Sequence, residues 1–259
     1  MSTETLDNRP ETPAKPAAAR SDGRGPAPIY IVCSPSRRVG KTLLARLVND
    51  HYLADGRSVA AFDLADESPR LTDFVSGREI AIGDMSGQMS FFDDLIARND
   101  VPKVIDVGYR EFANFFAIVH KIGLFEEARR RCIEPLILFM IDPDQKAERA
   151  YAMLRRSFAG FSLLPVRNQM IARGLPYGVT FRHASTLAVS IEIPELRPPL
   201  RSRIERERFS FATVAAQPPS SAQPTRRDDE LRSWFRRLRV QFREIELGLI
   251  SEQILAALR

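Results

Sequence analysis

Cysteine and histidine are scarce in this sequence, and their scarcity excludes several kinds of site. The 259 residues include two cysteines, Cys33 and Cys132, and three histidines, His51, His120 and His183. Two cysteines cannot form a disulfide framework, and the cysteines and histidines do not have the spacing of zinc ligands. The sequence therefore predicts neither a disulfide-stabilised fold nor a metal cluster of cysteine and histidine.

Long apolar runs are also missing. No stretch reaches the roughly 18 uninterrupted apolar residues of a membrane span, and the first residues contain no apolar core of a secretory signal. We therefore expect a cytoplasmic protein. Residues 1–27 carry almost no large apolar side chains, so we expect a disordered tail there.

The composition is that of a globular protein with an excess of positive charge. Apolar residues make up 44% and charged residues 27%, which is enough for a sizeable core. The net charge is +5, and much of the excess comes from arginines late in the chain. Such a balance favours an acidic partner, either nucleic acid or an anionic membrane surface.

Short apolar runs alternate with amphipathic segments and predict an α/β domain over residues 28–212. The predicted strands are residues 28–33, 58–64, 102–108, 135–141 and 161–168, with an extended segment at 191–196. The predicted helices include residues 43–53, 86–98, 125–131, about 144–156 and 200–211. This alternation favours a doubly wound, mostly parallel sheet with helices on both faces.

The segment between the first strand and the first helix has the pattern of a phosphate-binding loop. Residues 34–42 read SPSRRVGKT. Gly40 lets the backbone approach a phosphate, Lys41 is placed to reach the β- and γ-phosphates, and the Thr42 hydroxyl is placed to bind Mg²⁺. Backbone N–H groups at the start of the helix favour an anion there. Pro35 stands where the G-x-x-x-x-G-K-[ST] pattern has its first glycine.

Polar residues end three of the predicted strands. Asp63, Asp106 and Asn168 each occupy the carboxyl end of a strand. In a parallel sheet these ends lie at one edge, which is also where ligands bind. We therefore expect the three side chains on the same side of the sheet as the loop.

In the order of these motifs, residues 28–175 resemble the MinD/ParA branch of the P-loop ATPases. The loop of that family reads K-G-G-x-G-K-[ST], and its first lysine reaches across a nucleotide-sandwich dimer. Ser36 stands at the position of this lysine, and Arg37 and Arg38 replace the two glycines. The resemblance implies ATP and Mg²⁺ as ligands, a homodimer, and an arginine as the cation acting across it.

The resemblance also implies a role for each candidate residue. The strand ending at Asp106 matches the segment whose acid holds Mg²⁺, and Asn168 matches the asparagine that bonds adenine. Asp63 matches the first acid of the D-x-D switch, Ala65 occupies the second position, and Asp66 follows one residue late. The implied catalytic residues are Lys41, Asp63 and Asp66, and the implied metal ligands are Thr42 and Asp106. The implied nucleotide-binding residues are Arg37, Arg38, Val39, Gly40, Lys41, Thr42, Leu43 and Asn168.

The C-terminal part is expected to be a flexible linker, residues 213–228, followed by a basic amphipathic helix, residues 229–258. One face of this helix carries an apolar stripe: Leu231, Trp234, Phe235, Leu238, Phe242, Ile245 and Leu249. Three alternatives stay open for that stripe: packing onto the body of the protein, contact with a partner or second subunit, and insertion into an anionic membrane.

Two functions fit these features best. The first is an ATPase whose nucleotide-dependent dimerisation acts as a switch in DNA partitioning, plasmid transfer or intracellular positioning, with DNA bound without base preference. The second is a nucleotide-binding adaptor that recruits an unknown protein partner without hydrolysis, and Pro35, Ser36 and Ala65 favour it. A nucleotide kinase or ligase on the same fold is a third alternative, but no acceptor-site motif supports it.

Overall fold

In the computed structural model, one parallel sheet organises the chain. The structure describes residues 27–65, 68–171, 181, 187, 190–217 and 226–257. The strands among them are β1 Ile29–Cys33, β2 Ala60–Asp63, β3 Arg78–Glu79, β4 Lys103–Asp106, β5 Pro135–Met140, β6 Ser162–Asn168 and β7 Ile191–Ile193. Their order across the sheet is β3-β2-β4-β1-β5-β6-β7, and all these neighbours pair in parallel. The predicted parallel sheet is therefore confirmed.

Helices cover both faces of the sheet. They are α1 Lys41–Ala54, α2 Met85–Ala97, α3 Phe112–Ile122, α4 Leu124–Arg130, α5 Gln145–Ser157, α6 Pro198–Arg206, α7 Phe211–Ala216 and α8 Arg226–Ala257. Because side chains alternate along a strand, Tyr30 and Val32 of β1 pack with α1, α6, α7 and α8, whereas Ile29 and Ile31 pack with α2 to α5. The doubly wound architecture predicted from the sequence is confirmed.

Two predicted segments differ from the structure. The basic helix predicted at 200–211 is divided: α6 ends at Arg206, and α7 begins at Phe211. The division occurs because Ser210 is a helix N-cap, whose hydroxyl accepts a hydrogen bond from the Ala212 N–H at 3.1 Å. Part of the predicted linker 213–228 is helical, since residues 213–216 lie in α7 and α8 begins at Arg226. Residues 1–26 and 218–225 lie outside the described residues.

The long helix α8 belongs to the core. All seven residues of its apolar stripe are at most 4% exposed, and they pack in the same cluster as α1 and the sheet. The Trp234 indole N–H donates to the Pro194 carbonyl oxygen at 2.8 Å, and Glu246 lies 2.7 Å from Arg57 and 3.1 Å from His51. Of the three alternatives for the stripe, the structure shows packing onto the body. None of the helices in the described part of the chain is both long and apolar enough to span a membrane.

Candidate functional site

At the carboxyl ends of β1 and its two neighbouring strands, the helices that follow lie on opposite faces of the sheet. β1 lies between β4 and β5. α1, which follows β1, packs on one face, whereas α3, α4 and α5, which follow β4 and β5, pack on the other. Such a divergence opens a crevice at the strand ends, where α/β proteins bind ligands. The loop of residues 34–40 lies in this crevice.

Asn168 at the end of β6 holds the last turn of this loop. Its amide Nδ2 donates to the Val39 carbonyl oxygen at 3.2 Å, and its Oδ1 accepts from the Met170 N–H at 3.1 Å. Gly40 has a φ of 98°, and a Cβ atom there would lie 2.5 Å from Asn168 Nδ2. The loop therefore needs glycine at position 40 for both its backbone angle and its contact with Asn168. The Asn168 amide, predicted to bond adenine, is engaged inside the protein.

Thr42 and Asp106 meet across the crevice. The Thr42 hydroxyl donates to Asp106 Oδ2 at 2.7 Å, and the other carboxylate oxygen, Oδ1, is buried without a hydrogen-bond partner among the described residues. Burial raises the pKa of Asp106 to about 7; Thr42 and Lys41 act in the opposite direction, and the charge of Asp63 adds to the rise. A buried carboxylate oxygen of this kind is suited to a cation.

Lys41 and the two loop arginines surround the mouth of the crevice. The Lys41 ammonium donates to the Ser36 carbonyl oxygen at 2.7 Å. Arg37 and Arg38 are exposed, and the Arg37 guanidinium lies 5.1 Å from the centre of the Tyr109 ring. These cations give the loop a positive potential before any anion arrives.

Both carboxylate oxygens of Asp63 are engaged by the backbone that follows β2. Its Oδ1 accepts from the Ala65 N–H at 2.8 Å and its Oδ2 from the Thr72 N–H at 3.1 Å. The side chain is 1% exposed, and burial raises its pKa. Asp63 therefore holds the segment after β2 in shape. Asp66, the other predicted switch acid, lies outside the described residues.

A cavity of about 550 Å³ extends from the loop along the side of α1. The residues that line it include Lys41, Thr42 and Asp106 next to the loop, apolar side chains such as Phe74, Met170 and Ile204, and the charged Arg46, Arg201 and Glu205. Val39 is buried behind the loop, and Leu43 lines the cavity. A cavity lined by both charged and apolar side chains fits a ligand with an anionic group and a flat or apolar group.

Three further residues shape the site. The Lys146 ammonium donates to the Pro35 carbonyl oxygen at 3.1 Å, and Tyr109 lines the cavity three residues after the end of β4. Arg46 is 2% exposed and donates to the Ile204 carbonyl oxygen at 2.6 Å, with its guanidinium 3.9 Å from the centre of the Phe74 ring. Arg46 could have been identified from the sequence, because it lies one helical turn after Thr42 and so faces the same side of α1. No sequence pattern indicates that Lys146 contacts the loop.

A scan against models of known protein families found no match for this chain, and a search of curated proteins found no significant one.

Proposed function

We propose that this protein binds a nucleoside triphosphate with Mg²⁺ in the cavity beside α1, and that it acts as a nucleotide-dependent dimerising switch of the MinD/ParA kind. The observation that carries the proposal is the pair of Thr42 and Asp106. A hydroxyl and a half-paired buried carboxylate meet at 2.7 Å at the start of a helix, next to a lysine. This combination suits a cation held against a phosphate.

The residues present fit Mg²⁺. This ion usually takes one or two carboxylates and fills its other positions with water and phosphate oxygens. No group of three or more His, Cys, Asp or Glu residues that could hold a metal ion occurs in the described part of the chain. Asp106 and Thr42 would therefore hold Mg²⁺ together with the phosphates, and the bound ion would neutralise phosphate charge.

Three residues at the junction of the loop and α1 would bind the phosphates. Backbone N–H groups of Gly40, Lys41 and Thr42 stand at the amino end of α1, a helix of 14 residues, and would bind phosphate oxygens. The Lys41 ammonium would leave the Ser36 carbonyl oxygen for the β- and γ-phosphates. The apolar side chains of Phe74, Met170 and Ile204 in the cavity lining would contact the base, with adenine the expected one.

The second candidate function is binding without hydrolysis, followed by recruitment of a protein partner. A specific observation favours it: both carboxylate oxygens of Asp63 already accept backbone hydrogen bonds. A carboxylate occupied in this way is poorly placed to orient an attacking water, because it would first have to release the segment after β2.

Calorimetric titration with Mg-ATP tests the shared step of both candidates, with Lys41→Ala as the binding-deficient variant. We expect Lys41→Ala to weaken binding by about a hundredfold, because it removes a charged contact to two phosphates. Arg149→Ala, an exposed change on α5, is the matched control and should bind like wild type. If wild type shows no heat of binding, or if Lys41→Ala equals wild type, nucleotide binding at this site is wrong.

Phosphate release and light scattering then separate the two candidates. The switch predicts both hydrolysis and a mass near two subunits with Mg-ATP, whereas the adaptor predicts binding without release of phosphate. DNA remains the proposed partner of the dimer form, because the net charge of +5 favours a polyanion. Membrane contact through residues 229–258 would require the stripe of α8 to leave the core.

A further inference from the structure

Two lysines from different helices converge on the loop. Lys41 belongs to the first turn of α1 and donates to the Ser36 carbonyl oxygen at 2.7 Å. Lys146 is the second residue of α5 and donates to the Pro35 carbonyl oxygen at 3.1 Å. Their ammonium groups therefore end on consecutive carbonyl groups of one loop, although the residues are far apart in sequence.

The position of Lys146 is electrostatically unfavourable in three ways. A cation in the first turn of a helix faces the positive end of the helix dipole. The ammonium group lies on the same short stretch of loop as that of Lys41, so the two repel each other. Among the described residues, no carboxylate lies within ion-pair distance of Lys146, and the nearby Asp144 uses Oδ1 to cap the Lys146 N–H. A multiply charged anion at the loop would offset the repulsion of Lys146 by the helix dipole and by Lys41.

We propose that Lys146 binds the terminal phosphate of the triphosphate and thereby makes the site prefer triphosphate to diphosphate. The inference rests on the proposed function. β5, which leads to Lys146, flanks β1 on the side opposite β4 and its Asp106. The terminal phosphate would thus lie between a cation-binding pair on one side and Lys146 on the other. A lysine ammonium has three donors, and one bond to Pro35 leaves two for phosphate oxygens.

Binding of two nucleotides to the full-length protein tests this role. The probes are Mg-ADP and a non-hydrolysable ATP analogue with Mg²⁺, titrated into wild type, Lys146→Ala and Lys146→Arg. We expect Lys146→Ala to weaken binding of the analogue about tenfold and binding of ADP less than about twofold, because only the analogue carries the third phosphate. Lys146→Arg keeps the charge and should stay within about threefold of wild type for both ligands.

Arg149→Ala is the matched control, since Arg149 lies on the same helix and bonds Gln145 rather than the loop. It should leave both affinities unchanged. Equal losses for the two nucleotides in Lys146→Ala would mean that Lys146 only shapes the loop, and would overturn the inference alone; unchanged affinities would do the same. Wild type that binds neither nucleotide would instead overturn the proposed function, and this inference with it.

Discussion

At the scale of single residues, Asp106 links the site to the pH dependence of stability. Its pKa is about 7 in the folded protein because the side chain is buried, against an ordinary value of 3.8. Between these two values the folded protein binds more protons than the unfolded chain, so the free energy of unfolding falls as pH rises through this window. The same carboxylate must lose its proton to hold a cation.

Asp106→Asn removes the free-energy cost of burying an ionised carboxylate. In EDTA at pH 8, we expect the variant to be more stable than wild type by up to about 4 kcal/mol, the value of a shift of about three pKa units. The difference should shrink as the pH falls and vanish below about pH 3, where the carboxyl is protonated in both states. Urea denaturation followed by circular dichroism at several pH values measures it, and a difference that does not change with pH would contradict the argument.

Gly40 gives a second prediction at this scale. Gly40→Ala should destabilise the protein by about 2–4 kcal/mol, because it combines a positive φ with a Cβ atom 2.5 Å from Asn168 Nδ2. Gly160→Ala is the control: its φ is 93°, but nothing lies within 4 Å of the added Cβ. Gly160→Ala should therefore lower the free energy of unfolding only by the cost of a positive φ at a residue with a Cβ atom, about 1 kcal/mol.

The double variant Gly40→Ala/Asn168→Ala separates the two costs of Gly40→Ala. Removal of the Asn168 amide relieves the clash, so the combined change should be less destabilising than the sum of the two single changes. Thermal or urea denaturation of the four proteins measures this coupling. Strictly additive effects would show that Asn168 and Gly40 do not contact each other in solution.

At the scale of elements, α8 determines how one face of the sheet is covered. Trp234 is fully buried and donates to Pro194, so Trp234→Ala should lower the free energy of unfolding by about 3–5 kcal/mol. Val240, on the same helix, is 51% exposed, and Val240→Ala should change it by less than about 0.5 kcal/mol. Circular dichroism in urea compares the two variants, and equal effects would mean that α8 does not pack as described.

The accuracy of the predictions made from sequence patterns differs between elements and contacts. β5 was predicted almost to the residue, because a continuous apolar run has few alternatives to a central strand. The contact between Thr42 and Asp106 follows from the rule that parallel strands end at one edge. By contrast, a pattern of apolar residues identifies the buried face of α8 but not the surface that covers it, and the bond from Lys146 to Pro35 joins residues 111 positions apart.

The same limit applies to the contacts of Asp63 and Asn168. Asp63 and Asn168 lie at the predicted strand ends, yet their polar atoms bond the backbone of the protein itself. The motif gives the residue type and its place in the fold, whereas the rotamer depends on neighbours that are distant in sequence. The break between α6 and α7 has a local signal, the N-cap Ser210, which the basic and apolar periodicity of this segment concealed.

At the scale of the whole molecule, the surface charge is only partly compensated within the chain. Many arginines pair with acids, as Arg239 and Arg243 do with Asp55. Among the described residues, the exposed Arg236 and Arg237 of α8 make no ion pair. α8 thus turns its apolar stripe to the core and these arginines to the surroundings, a suitable arrangement for a polyanion.

If α8 contributes to DNA binding, affinity for a random duplex should fall as the salt concentration rises, since neutralised phosphates release counterions. Arg236→Glu/Arg237→Glu should lower affinity at low salt and reduce the slope of log affinity against log salt by about 2, since each phosphate contact contributes about 0.9. Arg155→Glu/Arg156→Glu serves as the control, because it makes the same change of net charge at two exposed arginines of α5. Fluorescence anisotropy with a labelled duplex measures all three proteins. Each phosphate contact adds to the slope whatever the base sequence. A slope that the double change leaves unaltered would therefore mean that Arg236 and Arg237 do not contact DNA. A protein partner would then be the better candidate for contact with these arginines.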